Sequence, residues 1–227
     1  MLLSNIYKYF LDGIKKETTS TVPPERYLRV INEALTNWVR DRANEADDSQ
    51  KRMDDLNKLV IERIITTTQD PLHPTTPIIA ENEFTLPVDY LRLLSVSVRL
   101  RYKDNYCYPD GMLSDWLPCK YYIFDKKGMS YRNPYRKPSD SRVYYQLKEN
   151  KINFIQGTSD VEEVDFIYIR YPKEIEVIVN PTDFYDDIQD VQIHEVIDIA
   201  VRMYIERIKD PRYQSFLMEE RIKSQNK

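Results

Sequence analysis

Apolar residues recur at helical spacing from the start of the chain. Leu3, Ile6, Tyr7, Phe10 and Ile14 fall on one face of a helix over the opening stretch Met1 to Lys16. Lys8 and Asp12 sit inside this pattern, which argues against a signal peptide or a membrane anchor. Such an arm docks either on the chain's own core or on a neighbouring subunit, and the sharper expectation is the subunit, with Ile6 and Phe10 as contacts. A second helix opens after Thr21, where Pro23 and Pro24 occupy positions whose missing N–H groups cost nothing. Its stripe is Tyr27, Leu28, Ile31, Leu35, Trp38 and Val39, and it should run to about Asn44. After the polar stretch Glu45 to Ser49, Met53, Leu56 and Leu59 continue a helical pattern, so the two form a helical hairpin.

From Val60 the period changes. Ile64, Ile65 and three threonines favour extended chain, and Pro71, Pro74 and Pro77 exclude a continuing helix. Phe84 to Pro87 is a short extended entry, and Tyr90 to Tyr102 reads as a strand whose apolar residues, at both odd and even positions, call for a bulge or burial on both faces. Between Asp104 and Ser141 lie turns rich in Tyr, Pro, Lys and Asp, with Tyr121 to Phe124 as one strand-like island. Strands follow at Val143 to Leu147, Lys151 to Ile155 and Val164 to Tyr171, separated by turns at Glu149-Asn150 and Gly157 to Asp160, as in an antiparallel meander. The last long helix spans about Asp187 to Ile208, with Asp186, Asp187 and Asp190 near its positive end and Ile193, Ile197, Ala200, Tyr204 and Ile208 as its buried stripe. Residues Arg212 to Lys227 are polar around Phe216, Leu217 and Met218 and read as a docking tail.

This pattern predicts an α+β fold, with helices from both ends of the chain packed together around an intervening antiparallel β region. The expected divisions are a helical region with a docking arm over 1–68, a β region over 69–180, a helix completing the helical core over 181–211, and the tail over 212–227.

Composition changes the picture in two places. The 18 tyrosines and four glycines of the 227 residues fit either association surfaces that must also tolerate water or a tyrosine-rich sheet core. A net charge of −4 disfavours coating DNA by neutralising its phosphates, although like charge suits a conduit through which DNA passes without sticking. Cys107 and Cys119 have no metal-type or redox-type spacing and are expected to be free thiols.

Candidate chemistry is sparse. Asp190, His194 and Asp198 lie four apart on one helix face with Glu195 beside them, but three ligands along a single helix do not surround a metal, so a solvated face is expected. A zinc site from His73, Cys107 and Cys119 has irregular spacing. Gly13, Gly111, Gly128 and Gly157 stand apart from one another, so no loop here cradles phosphates as nucleotide-driven motors do. No catalytic, cofactor-binding or metal-binding residue is expected. The run Tyr131 to Pro138, followed by Arg142 and Lys148, mixes cations with aromatics as single-strand binders do, but the chain's overall acidity favours an exposed loop whose cations pair with acidic loops of its own or a neighbouring subunit.

Four stretches in order, Phe84-Thr85-Leu86-Pro87-Val88-Asp89-Tyr90, Asn133-Pro134-Tyr135-Arg136-Lys137-Pro138, Phe166 to Pro172 and the final helix, resemble phage head-to-tail adaptor proteins. The nearest likeness is to ring proteins of crAss-like phages, and the chain is more distantly similar to the tail tubular protein A and portal-adaptor group of short-tailed phages. The resemblance implies a non-enzymatic virion subunit made in the host bacterial cytoplasm and placed at the portal vertex. It implies a dodecameric ring that meets the portal protein and other tail proteins, and through which genomic DNA passes without sequence-specific contact, away from any membrane. The partner-binding residues expected on this reading are Ile6, Phe10, Tyr131, Arg132, Tyr135, Arg136, Phe216, Leu217 and Met218. A nucleic-acid-binding accessory role for the loop 131–148 is the alternative.

Overall fold

A computed structural model of the chain describes residues 1–17, 22–45, 50–67, 78–80, 82–103, 111–122, 135–176 and 183–207. The fold is α+β and divides into two compact units, Met1–Leu59 with Tyr171–Lys227, and Val60–Arg170.

The first unit is built on three long helices, α1 (Leu3–Glu17), α2 (Pro24–Glu45) and α4 (Asp190–Arg207), with a short α3 (Gln50–Asp55) and a 3-10 turn at Asn57–Leu59. Pro24 takes the first position of α2, and the carbonyl of Pro23 accepts the first helical bond, from Tyr27 N–H at 3.1 Å. At the start of α4 the Gln192 side chain reaches back to accept from the Gln189 N–H at 3.1 Å, the reciprocal half of a capping box. The apolar stripes meet in one core of Ile6, Phe10 and Ile14 from α1, Tyr27, Ile31, Leu35 and Trp38 from α2, and Ile193, Ile197, Ala200 and Tyr204 from α4. Gly13 permits the close approach of α1 to α4, since a Cβ there would lie 2.9 Å from a methyl of Val201. Around this core, Glu195 accepts from Trp38 Nε1 at 2.9 Å and from Arg42 at 2.7 Å, while Asp55 accepts from Gln192 at 2.9 Å. Asn32 holds the segment after the β unit by accepting from Ile175 N–H at 2.9 Å and donating to its carbonyl at 3.0 Å.

The second unit is a sandwich of two four-stranded sheets, in the orders β1-β8-β3-β4 and β2-β7-β6-β5. The strands are β1 (Val60–Thr66), β2 (Glu83–Thr85), β3 (Tyr90–Arg101), β4 (Leu117–Pro118), β5 (Lys120–Tyr121), β6 (Tyr144–Lys148), β7 (Lys151–Ile155) and β8 (Asp160–Arg170). Its core joins Ile65, Val96, Val98, Leu100, Val164, Phe166 and Tyr168 from the first sheet to Phe84, Val143, Ile152 and Phe154 from the second. The mixed odd-and-even pattern of β3 resolves into register shifts between Tyr90 and Arg92, Leu93 and Ser95, and Arg99 and Leu100 against β8.

Three expectations of the sequence need correcting here. Strands β6, β7 and β8 are not one meander. β6 and β7 pair as a hairpin, but β8 crosses to the other sheet and runs between β1 and β3. The helical region ends at Leu59 rather than residue 68, because β1 pairs with β8 along its whole length, and the return to the helical unit falls at Tyr171 rather than 181. The final helix begins at Asp190, three residues later than expected, since the Asp187 carboxylate accepts from Lys173 N–H at 2.7 Å instead of capping the helix. Ile208 and the tail lie outside the described residues.

Candidate functional site

The residues expected to contact partners have separate fates. Ile6 and Phe10 are 1% and 0% exposed. The Phe10 ring lies 5.0 Å from that of Tyr27 and 6.0 Å from that of Tyr204, so the apolar face of α1 is used by the chain's own core. The expectation that these two dock on a neighbour therefore gives way, and Tyr9, 45% exposed, is the large α1 side chain left outside. Tyr131, Arg132, Phe216, Leu217 and Met218 lie outside the described residues.

Tyr135 and Arg136 are on the surface, in a turn leading to β6. This turn is tied down by its backbone. Arg142 donates to the Tyr135 carbonyl, and Tyr144 Oη donates to the Arg136 carbonyl at 3.0 Å. The side chains of Arg136 and Lys137 are left exposed, and neither has an ion-pair partner among the described residues.

His194 is exposed on α4 with its ring 5.1 Å from Tyr9, edge to face, above an open depression lined also by Asp12, Gly13, Ile197 and Asp198. Asp190, a turn away, accepts from the Met1 ammonium at 2.5 Å, and this hydrogen bond holds its carboxyl below the usual range. Among the described residues no group of three or more His, Cys, Asp or Glu could hold a metal ion. His73 and Cys107 lie outside them. Cys119 is a free, half-buried thiol pushed up to about 12 by burial, so it stays protonated near neutrality and is a poor nucleophile and metal ligand.

The sandwich also exposes residues that sequence reasoning passed over. On β1 the burial alternates, with Ile65 in the core and Glu62 and Ile64 outside, Ile64 being 59% exposed. Ile64 stands opposite Asp165 of β8, whose buried Oδ1 has no hydrogen-bond partner among the described residues. Burial, and then the Glu62 charge, push the Asp165 carboxyl above the usual range. At the other side of the sandwich Tyr121 is 55% exposed on β5, next to exposed Lys120. The available signal was the isoleucine on the polar face of an otherwise alternating VIERIIT strand.

No protein-family model matches the chain, and no curated protein matches it.

Proposed function

We propose that the chain is a structural, non-enzymatic subunit of the ring that extends a phage portal's DNA channel and joins it to the tail. One observation carries the reading beyond the resemblance of its four short stretches. Large apolar side chains are left on the surface of both units, among them Val88 at the tip of a turn, Tyr135 at 82%, Val191 at 75% and Phe184 at 66% exposure. Surface apolar groups distributed in this way suit a subunit with several neighbours better than one with a single concave site. On this reading the partners are the portal protein, other tail proteins and further copies of the chain.

The second reading, a nucleic-acid-binding accessory protein, draws on the exposed cations of Arg136 and Lys137 beside Tyr135. Native mass measurement of the chain mixed with its portal protein separates the two. Closed multiples of the chain bound to the portal are expected. Monomers that ignore the portal but shift labelled single-stranded DNA would replace this reading with the second.

A further inference from the structure

Charge is segregated within the β unit. Residues 120–151 hold nine lysines and arginines against three aspartates and glutamates, whereas the remainder of 60–170 holds six against twelve. The sheet orders put the ends of this asymmetry on opposite lateral edges of the sandwich. β1 ends one sheet and β2 the other on the first side, linked through Ile79 N–H to the Thr66 carbonyl at 3.2 Å and Ala80 N–H to the Glu83 carbonyl at 2.8 Å. On the second side the chain passes from β4 to β5 through Cys119, whose N–H bonds Val96 of the first sheet at 3.0 Å just before Lys120 N–H bonds Val143 beside the second at 3.1 Å.

The β1 half of the first edge is acidic and apolar, while on β2 Glu83 is paired with Lys151 of β7 at 2.6 Å. Thr67 N–H bonds the Glu162 carbonyl on β8, and the Thr66 carbonyl is turned the other way, towards Ile79. Antiparallel alternation then turns the backbone N–H and C=O of Glu62 and Ile64 away from β8. The same residues present an exposed carboxylate and an exposed isoleucine, with Asp165 beneath, and among the described residues no cation pairs with either acid. An edge strand with open backbone groups and an apolar side chain is a template for pairing with another chain.

The second edge is basic and aromatic. Lys120 and Tyr122 N–H groups bond the β6 side at 3.1 and 2.8 Å, so that of Tyr121 points outward, and its ring, 5.5 Å from that of Tyr145 on β6, is exposed. Lys120 beside it on β5 is exposed, as are Arg136 and Lys137 in the turn whose Arg136 carbonyl accepts from Tyr144 Oη of β6.

We infer that these edges are complementary faces of a contact between copies of this chain, the β1 edge of one copy docking on the β5 edge of the next. Charge selects the occupant, because each edge carries the counter-charge the other lacks. Two unlike faces on one protomer make a head-to-tail contact, the kind that closes into a ring. The inference rests on the adaptor-ring reading, of which it names the self-contact.

The test is sedimentation of the full chain and of two charge-reversed variants, Glu62→Lys and the double variant Lys120→Glu with Arg136→Glu. Wild type is expected to self-associate, less so as salt rises, and each variant to associate ~tenfold more weakly or worse. An equimolar mixture of the two variants should recover association, since every junction in an alternating assembly again joins opposite charges. Ile64→Ser, which leaves the charges alone, should weaken association as well, and melting curves confirm that all variants are folded. A wild-type chain monomeric at its highest soluble concentration, variants that associate like wild type, or a mixture that recovers nothing would each overturn the inference. So would loss of labelled-DNA binding by the double variant with self-association unchanged, which assigns the basic edge to a polyanion. Virion localisation reads the function separately. A chain found in a ring at the portal vertex with inert swaps loses these edges and keeps the ring, whereas effective swaps in a chain absent from virions keep the edges and lose the ring.

Discussion

Tyr27 is fully buried in the helical core with its ring against Tyr7 and Phe10, and among the described residues its hydroxyl has no hydrogen-bond partner. Burial, with Tyr7 adding to it, pushes that hydroxyl well above the ordinary tyrosine range. A buried, unpaired polar group costs about 1–3 kcal/mol, so Tyr27→Phe is expected to leave the helical unit as stable or more stable by up to about 1 kcal/mol in urea titration. A clear loss would mean that the hydroxyl is bonded in solution. Asp165 is the acidic counterpart. Its folded carboxyl lies above the unfolded value, so the ionised form detracts from stability at neutral pH, and the penalty fades as the pH falls through the raised value. Asp165→Asn should therefore melt higher than wild type at pH 7, with the gap closing by about pH 4, near the unfolded aspartate value. A gap that widens on acidification would contradict the assignment. His194, exposed and with its ring against that of Tyr9, is expected to be replaceable by Ala within about 0.5 kcal/mol in a melting curve.

Among elements, the turn before β2 holds the sandwich together where its sheets meet. Asn82 adopts φ 64°, a left-handed conformation that Asn tolerates better than most residues. From there its carbonyl accepts from Phe154 N–H of β7 at 2.9 Å, and its side chain accepts from Val161 N–H of β8 at 3.0 Å. Asn82→Ala loses the side-chain bond and strains the backbone, for an expected cost of about 2–3 kcal/mol. Asn82→Gly relieves the strain and should cost visibly less, and equal losses in the two variants would show that the conformation carries no penalty. Such turns are where the sequence was least legible. The 3.6-residue and two-residue periods identified the long helices and most strands, because one face of each element is buried within its own unit. Which strands share a sheet depends on partners far away in the chain, and β8 leaves the β6–β7 hairpin because its apolar residues fit between β1 and β3. The docking face of α1 was misassigned for a related reason. A stripe of Ile6, Phe10 and Ile14 shows that something covers the helix and not which surface does.

At the scale of the molecule, the tyrosines divide between core and surface. Tyr27, Tyr168 and Tyr204 are core residues, while Tyr9, Tyr121 and Tyr135 stand at the surface. A helical unit made from both ends of the chain, interrupted by a β sandwich with unlike edges, is the architecture on which the adaptor-ring account depends. Its site was only partly legible in the sequence. Tyr135 and Arg136 could be picked out as a cation and aromatic cluster, but Glu62, Ile64 and Lys120 acquire meaning only when sheet order places them on opposite edges. The most direct test of the account is a reconstruction, without imposed capsid symmetry, of the portal vertex of phage particles assembled in cells that make this chain. The account predicts density for the sandwich and its helices repeated in a closed ring against the portal, with the β1 edge of each copy facing the β5 edge of the next. Density for the chain elsewhere in the capsid, or none in the virion at all, would contradict it.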